Sequence, residues 1–181
     1  MTYYARHLPH WYPPGEDIFI TWRLHGSLPA RVNIPKPLKS AGKRFLAYDR
    51  TLDKAGTGPV WLKDPRIASS VMVALNAGQQ RKMFTLRASV LMANHVHVLL
   101  APHSPIAQIT QQIKGATARE ANLILGRTGA RFWQDESFDH WIRNPEEWQR
   151  IYAYIQQNPV AAGLAQKSED WPWSSASHPI G

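Results

Sequence analysis

The chain contains no cysteine, which excludes disulfide staples, thiolate zinc modules and thiol nucleophiles. Acidic residues are scarce: 13 Asp plus Glu against 21 Lys plus Arg leave a formal charge of +8 over 181 residues. The partner expected of such a balance is a polyanion, nucleic acid before an anionic membrane. No apolar run approaches the ~20 residues of a spanning helix, and the stretch from Met1 to His7 lacks the apolar segment of a signal peptide. A cytoplasmic protein with no membrane partner is therefore expected. Internal repeats and low-complexity tracts are absent, and Ser89, Ser104, Ser137 and Ser174 stand in no nucleophile-elbow context. Chemistry must come from His, Tyr, carboxylates, amides or a metal.

What is plentiful is apolar and aromatic: 44% hydrophobic residues, with 8 Trp, 6 Tyr and 5 Phe, enough to bury one core. The length favours a single domain over residues 1–181. Leu8 to Gly15 reads as turn chemistry and Asp17 to Leu24 as the first strand. Residues 27–58, rich in Pro and basic side chains, read as an insertion with a short helix around Arg44 to Lys54, either a solvated loop or a functional arm. Asp64-Pro65 opens a helix with Ile67, Val71, Ala74 and Leu75 on one face, and Phe84 to Met92 returns to strand. Ser104-Pro105 repeats the N-cap-then-Pro signal for a helix that carries Ile106, Ile109, Ile113 and Thr117 and ends at Gly126. Phe138 to Ile142 is a short strand. Asn144-Pro145-Glu146-Glu147 is a capping box opening a helix to about Asn158-Pro159, and residues 165–181 form an aromatic tail. This order predicts an α+β domain, ferredoxin-like in outline, with helices on one face of an antiparallel sheet.

The densest chemical signal is Met92-Ala93-Asn94-His95-Val96-His97-Val98-Leu99-Leu100. On a strand, His95 and His97 project to one side while Val96, Val98 and Leu100 project to the other. Two imidazoles side by side fit either a hydrogen-bonded pair or two metal ligands. On the helix after Asn144, Trp148, Ile151, Tyr152 and Ile155 form the apolar stripe, and Tyr154 and Asn158, four apart, present a phenol and an amide at its edge. Alone, that pair also fits a packed phenol and a helix-end amide. Combined with the imidazoles it makes a phosphoryl-transfer site, because a phenol of pKa ~10 is a poor nucleophile at neutral pH unless a cation orients and polarises the phosphate. Lys114 and Arg119, with Arg127 and Arg131 after their helix, are the cations expected to line a DNA-binding groove beside it.

His95-Val96-His97 resembles the His-hydrophobe-His motif of the HUH endonucleases, and Tyr154 matches their single tyrosine. Phe132-Trp133-Gln134, Asp139 to Arg143, Tyr154 to Val160, Ala162-Gly163-Leu164 and Asp170 to Ser175 resemble the REP-associated tyrosine transposases, relatives of the IS200/IS605 transposases. The likeness runs from about Tyr12 to Ser175 and is weak from Arg31 to Lys54. It implies the HUH fold and a Y1-type enzyme that binds single-stranded DNA hairpins of repeated extragenic palindromes, as a monomer or homodimer, in the nucleoid. It further implies that Tyr154 forms a 5′-phosphotyrosine, with Mg²⁺ or Mn²⁺ held by His95, His97 and an amide from the Tyr helix. Asn158 is the first choice for that amide and Gln157 the second. The rival expectation is a DNA-hairpin binding or regulatory protein that does not cut.

Overall fold

The computed structural model describes residues 2–5, 9–13, 15–28, 41–54 and 58–178. A hairpin of β1 (Thr2–Ala5) and β2 (Pro9–Tyr12) comes first, so part of the stretch expected to be turn is strand. β3 (Ile18–Arg23) follows, then α1 (Ala41–Asp53), a short 3-10 turn at Trp61–Lys63, and α2 (Pro65–Gln80). The hairpin β4 (Phe84–Leu91) and β5 (His95–Pro102), α3 (Ile106–Ile124), β6 (Phe138–Trp141) and α4 (Pro145–Ala161) complete the order. The main sheet is antiparallel, in the order β4-β5-β3-β6. This is the expected α+β class.

Helices cover both faces of the sheet, not one. Ile18, Ile20 and Trp22 of β3 and Val96, Val98 and Leu100 of β5 pack with Ile67, Val71 and Leu75 of α2 and Ile109 and Ile113 of α3. On the other face Phe19, Val90 and Leu99 pack with Ile155 of α4 and Phe45 of α1. The reason lies in the strands: Val98 and Leu99 are adjacent, point to opposite faces, and are both fully buried. Such a strand needs cover on each side. In β4 the pairing shifts between Leu86 and Ala88, so Leu86 joins the first core and Ala88 the second.

The helix signals fare unevenly. Asp64 Oδ1 accepts from the Arg66 amide at 3.0 Å, with Pro65 at the first helical position, as expected. At α3 the helix begins one residue late: Pro105 holds the cap position and no side chain caps it. The preceding turn is tied elsewhere, since the amides of His103 and Ser104 both donate to the Met83 carbonyl. At α4, Asn144 Oδ1 accepts from the Glu147 amide at 2.8 Å. Glu147 Oε2 accepts from Arg143 instead of closing the box on Asn144, because its other oxygen is held 3.0 Å from His140 Nε2 on β6.

α4 runs through Pro159 to Ala161. It ends in a Schellman arrangement, with Gly163 at φ +69 and its amide on the Val160 carbonyl, and with the Leu164 amide on Pro159. Beyond it, Leu91 donates to the Trp173 carbonyl, Trp171 Nε1 donates to the Leu91 carbonyl, and Ser175 donates to Ser89. The aromatic tail thereby covers the free edge of β4, which otherwise would offer unpaired backbone groups. Of the segment read as an insertion, residues 29–40 and 55–57 lie outside the described residues, as do 179–181 of the tail.

Candidate metal centre and nucleophile

His95 and His97 share the face of β5 that looks toward α1 and α4, and both are fully buried. Each ring is anchored at Nδ1. His95 Nδ1 lies 2.7 Å from Asn94 Oδ1, and Asn94 spends its Nδ2 on the Leu52 carbonyl at 3.0 Å. Asn94 Oδ1 is thus the acceptor, His95 carries its proton on Nδ1, and its Nε2 lone pair points into the cluster. His97 Nδ1 lies 2.6 Å from Thr21 Oγ1, its register partner on β3. A hydroxyl both donates and accepts, so it serves either tautomer of His97. The two Nε2 atoms face each other at 3.0 Å. Two lone pairs at that distance need a proton or a cation between them.

The third group comes from α1. Asp49 Oδ1 stands 3.3 Å from His97 Nε2 and 3.5 Å from His95 Nε2. Its carboxyl is only 1% exposed, and Oδ1 has no hydrogen-bond partner among the described residues. Burial pushes this carboxyl up, but His97 and then His95 outweigh it and hold the group below the usual carboxylate range. Asp53, one turn on, lies 3.7 Å from His95 Nε2. Burial and then the Asp49 charge push it up to about 7, against a smaller downward pull from His97. For His95, burial first and the neighbouring His97 second push the imidazole down to about 3, so it is neutral. Neutral imidazole is the form that ligates.

Asn158 of α4 closes the arrangement. Its Nδ2 is placed 3.5 Å from both His97 Nε2 and Asp49 Oδ2, and its Oδ1 is buried without a partner among the described residues. A 180° turn of the amide exchanges the two atoms and aims the oxygen at the cluster. Asp49 Oδ1, Asp53 Oδ1 and Asn158 Oδ1 are all buried with no hydrogen-bond partner among the described residues, each at a cost of roughly 1–3 kcal/mol. A cation among them would relieve that cost. Two imidazoles, a carboxylate and an amide are a mixed N/O donor set suited to a first-row dication such as Mn²⁺, with oxygens that also suit Mg²⁺. Gln157, the second choice for that amide, is exposed on α4, whereas Asn158 is buried at the cluster.

Tyr154 packs directly against these groups. Its ring centroid lies 5.6 Å from that of His97, at an interplanar angle of 65°, with Phe19 and Phe45 at 6.3 and 6.2 Å. Tyr152 instead stacks on Trp148, a member of the same helical stripe, at 5.0 Å.

The four cations lie elsewhere. α3 packs on the sheet face opposite the imidazoles, so Lys114 and Arg119 and the loop after them are not on the face of the cluster. Lys114 Nζ donates to the carbonyls of Gln134 at 2.7 Å and Asp135 at 2.9 Å. Arg127 sits over the Trp61 ring at 4.1 Å, and Arg131 faces Asp135 at 3.5 Å on an exposed surface. Arg119 is exposed. Lys114 and Arg131 do share a cavity of about 360 Å³ with Trp133 and Gln134.

Asp49, Asp53 and Thr21 are the residues that sequence reasoning missed. A signal for the first two existed: Phe45, Asp49, Leu52 and Asp53 recur at helical spacing, and acids so placed within a basic stretch are out of character.

An antiparallel α+β sheet thus presents a His-Val-His strand toward a tyrosine on a capped helix, and comparison with known proteins places the chain in a family. The profile of the family described as IS200-like transposases matches residues 61–158, more than half of the chain. The chain belongs to that family. Among solved structures it is similar to a REP-associated tyrosine transposase bound to a REP hairpin, at 18% identity and a TM-score of 0.57. That match covers 99% of this chain and 86% of the other. A putative transposase from Deinococcus radiodurans R1 matches at 15% identity and a TM-score of 0.44, over 85% of this chain and 95% of that one. No curated protein matches the chain significantly. No helix among the described residues is long and apolar enough to cross a membrane.

Proposed function

We propose that this chain is a metal-dependent endonuclease and strand transferase that acts on single-stranded DNA at hairpins of repeated extragenic palindromes, with Tyr154 as nucleophile. The observation that carries the reading is the Tyr154 ring against His97, at 5.6 Å, beside a buried set of convergent ligand atoms. Membership of the IS200-like transposases supports it, and so does a REP hairpin bound to a protein of similar fold.

His95, His97 and Asn158 would hold the cation, Mg²⁺ or Mn²⁺, with Asp49 completing the set before DNA is bound, while Asn94 and Thr21 fix the imidazole orientations. When bound, the cation polarises a phosphodiester oxygen and stabilises the charge that builds during displacement. Tyr154 Oη forms a bond to phosphorus as the bond from phosphorus to the 3′ oxygen breaks. The phenolic proton passes to solvent and the departing 3′ oxygen takes one up, which leaves a 5′-phosphotyrosine and a free 3′-hydroxyl. Because the phosphoester is kept on Tyr154, the reverse attack by a 3′-hydroxyl rejoins DNA without an external energy source. Phe19 and Phe45 beside the ring limit the positions open to the phenol.

The test is incubation with a labelled single-stranded hairpin and Mn²⁺ followed by a denaturing gel. A label that migrates with the protein supports the reading. Hairpin binding with neither cleavage nor adduct would replace it with the non-cutting hairpin binder.

A further inference from the structure

Helix α1 meets the body of the molecule along one face. Phe45 lies against Phe19, His97, Phe138 and Tyr154, and Asp49 lies against both imidazoles. Leu52 is buried with its carbonyl on Asn94, and Asp53 stands beside His95. With α1 in place His95, His97 and Asp49 are 0%, 0% and 1% exposed, so no phosphodiester can approach the two Nε2 atoms. The seat is also electrostatically incomplete. Asp49 and Asp53 each bury an oxygen without a hydrogen-bond partner among the described residues, next to the lone pair of His95 Nε2.

We propose that α1 is a metal-latched roof over the site. A dication draws the Asp49 carboxylate in and closes α1, and a DNA phosphate, competing for the same cation, lifts it off. The inference rests on reading the cluster as the metal centre of a DNA-cleaving enzyme. The competition follows from charge: a scissile phosphate and Asp49 are both anions that need the cation's open side, and α1 occupies the volume through which the phosphate must come. Asp49 is on this account a positioning residue, which holds the centre shut until a strand arrives.

Hydrogen exchange of the 41–53 amides tests this on the full chain, read by mass spectrometry without metal, with Mn²⁺, and with Mn²⁺ plus a single-stranded DNA hairpin. Free Mn²⁺ is followed in parallel by electron paramagnetic resonance. In the wild type Mn²⁺ should slow exchange over 41–53 by at least ~10-fold, and the hairpin should restore it. Asp49→Asn keeps the shape and removes the charge, so it should weaken Mn²⁺ binding by ~10-fold or more and abolish the protection. Unchanged exchange in the wild type on binding Mn²⁺ overturns the latch, as does equal protection in Asp49→Asn or protection that persists under bound hairpin. His97→Ala separates two failures. Wild-type Mn²⁺ affinity in His97→Ala overturns the metal centre itself, whereas lost affinity there with unchanged behaviour in Asp49→Asn overturns only the latch.

Discussion

Tyr154 stands edge-on to His97, ring centroids 5.6 Å apart and planes at 65°, so the phenol and the imidazole cluster form one site although 57 positions separate them in the chain (154 − 97). Tyr154→Phe removes only the oxygen. Cleavage and covalent adduct should vanish while Mn²⁺ and hairpin binding persist. Tyr152→Phe is the internal control, since that ring stacks on Trp148. It should cleave normally, and an adduct lost in Tyr152→Phe but kept in Tyr154→Phe would show that the helix register has been misassigned.

His97→Ala deletes one imidazole from a mixed donor set with little affinity to spare. Mn²⁺ binding should fall by at least ~10-fold and cleavage with it, measured by titration calorimetry and gel assay. Asn158→Ala should also weaken Mn²⁺, because the buried amide lies 3.5 Å from His97 Nε2. Gln157→Ala, on the exposed side, should change nothing. Equal loss in both amide variants would contradict the assignment.

Asp53 gives the metal-free protein a pH signature. Its carboxyl is raised from 3.8 to about 7 by burial and then by Asp49. Between those values the folded form holds a proton that the unfolded form has lost, so the stabilising contribution is complete below about 3.8 and disappears as pH rises through about 7. In chelator, Asp53→Asn should melt above the wild type at pH 8, with the gap closing as pH falls toward 4. His95 acts in the other direction: it is pushed down to about 3, so it costs stability as pH falls from 6.5 toward 3. A gap between Asp53→Asn and wild type that is constant across pH would show that Asp53 does not titrate in this way.

The cations divide by what they already hold. Arg119 and Arg131 are exposed, and if each contacts a phosphate, its alanine variant should flatten the salt dependence of hairpin binding by about one charge. Lys114 anchors the carbonyls of Gln134 and Asp135, so Lys114→Ala should lower the melting temperature as well. Arg127 over Trp61 should cost about 0.5–1 kcal/mol of stability on removal. Unchanged salt slopes in all four variants would place the phosphate contacts elsewhere.

Much of this was legible because it is local. The alternation of His95-Val96-His97-Val98 states which face the imidazoles take, and Asn144-Pro145 states where α4 starts, which in turn places Tyr154 and Asn158 one turn apart. What was not legible depends on long-range packing. Asp49 reaches the imidazoles only because Phe45 and Leu52 seat α1 on the His face; helical spacing marks the face these residues share but not the strand that face packs against. Thr21 depends on the register of β3 against β5, and the two-sided helix cover depends on which adjacent strand residues are both buried. Ser104-Pro105 misled by one residue because Met83 claims the turn before α3.

Peptide mapping by tandem mass spectrometry shows directly whether Tyr154 Oη forms the covalent link to DNA. The wild-type protein is reacted with a single-stranded hairpin and Mn²⁺, trapped in denaturant, and digested with nuclease and protease. A nucleotide remnant should appear on the peptide containing Tyr154, joined through a 5′-phosphate and absent when chelator replaces Mn²⁺. A remnant on another residue, or a cleaved hairpin with no protein-linked nucleotide, would contradict it.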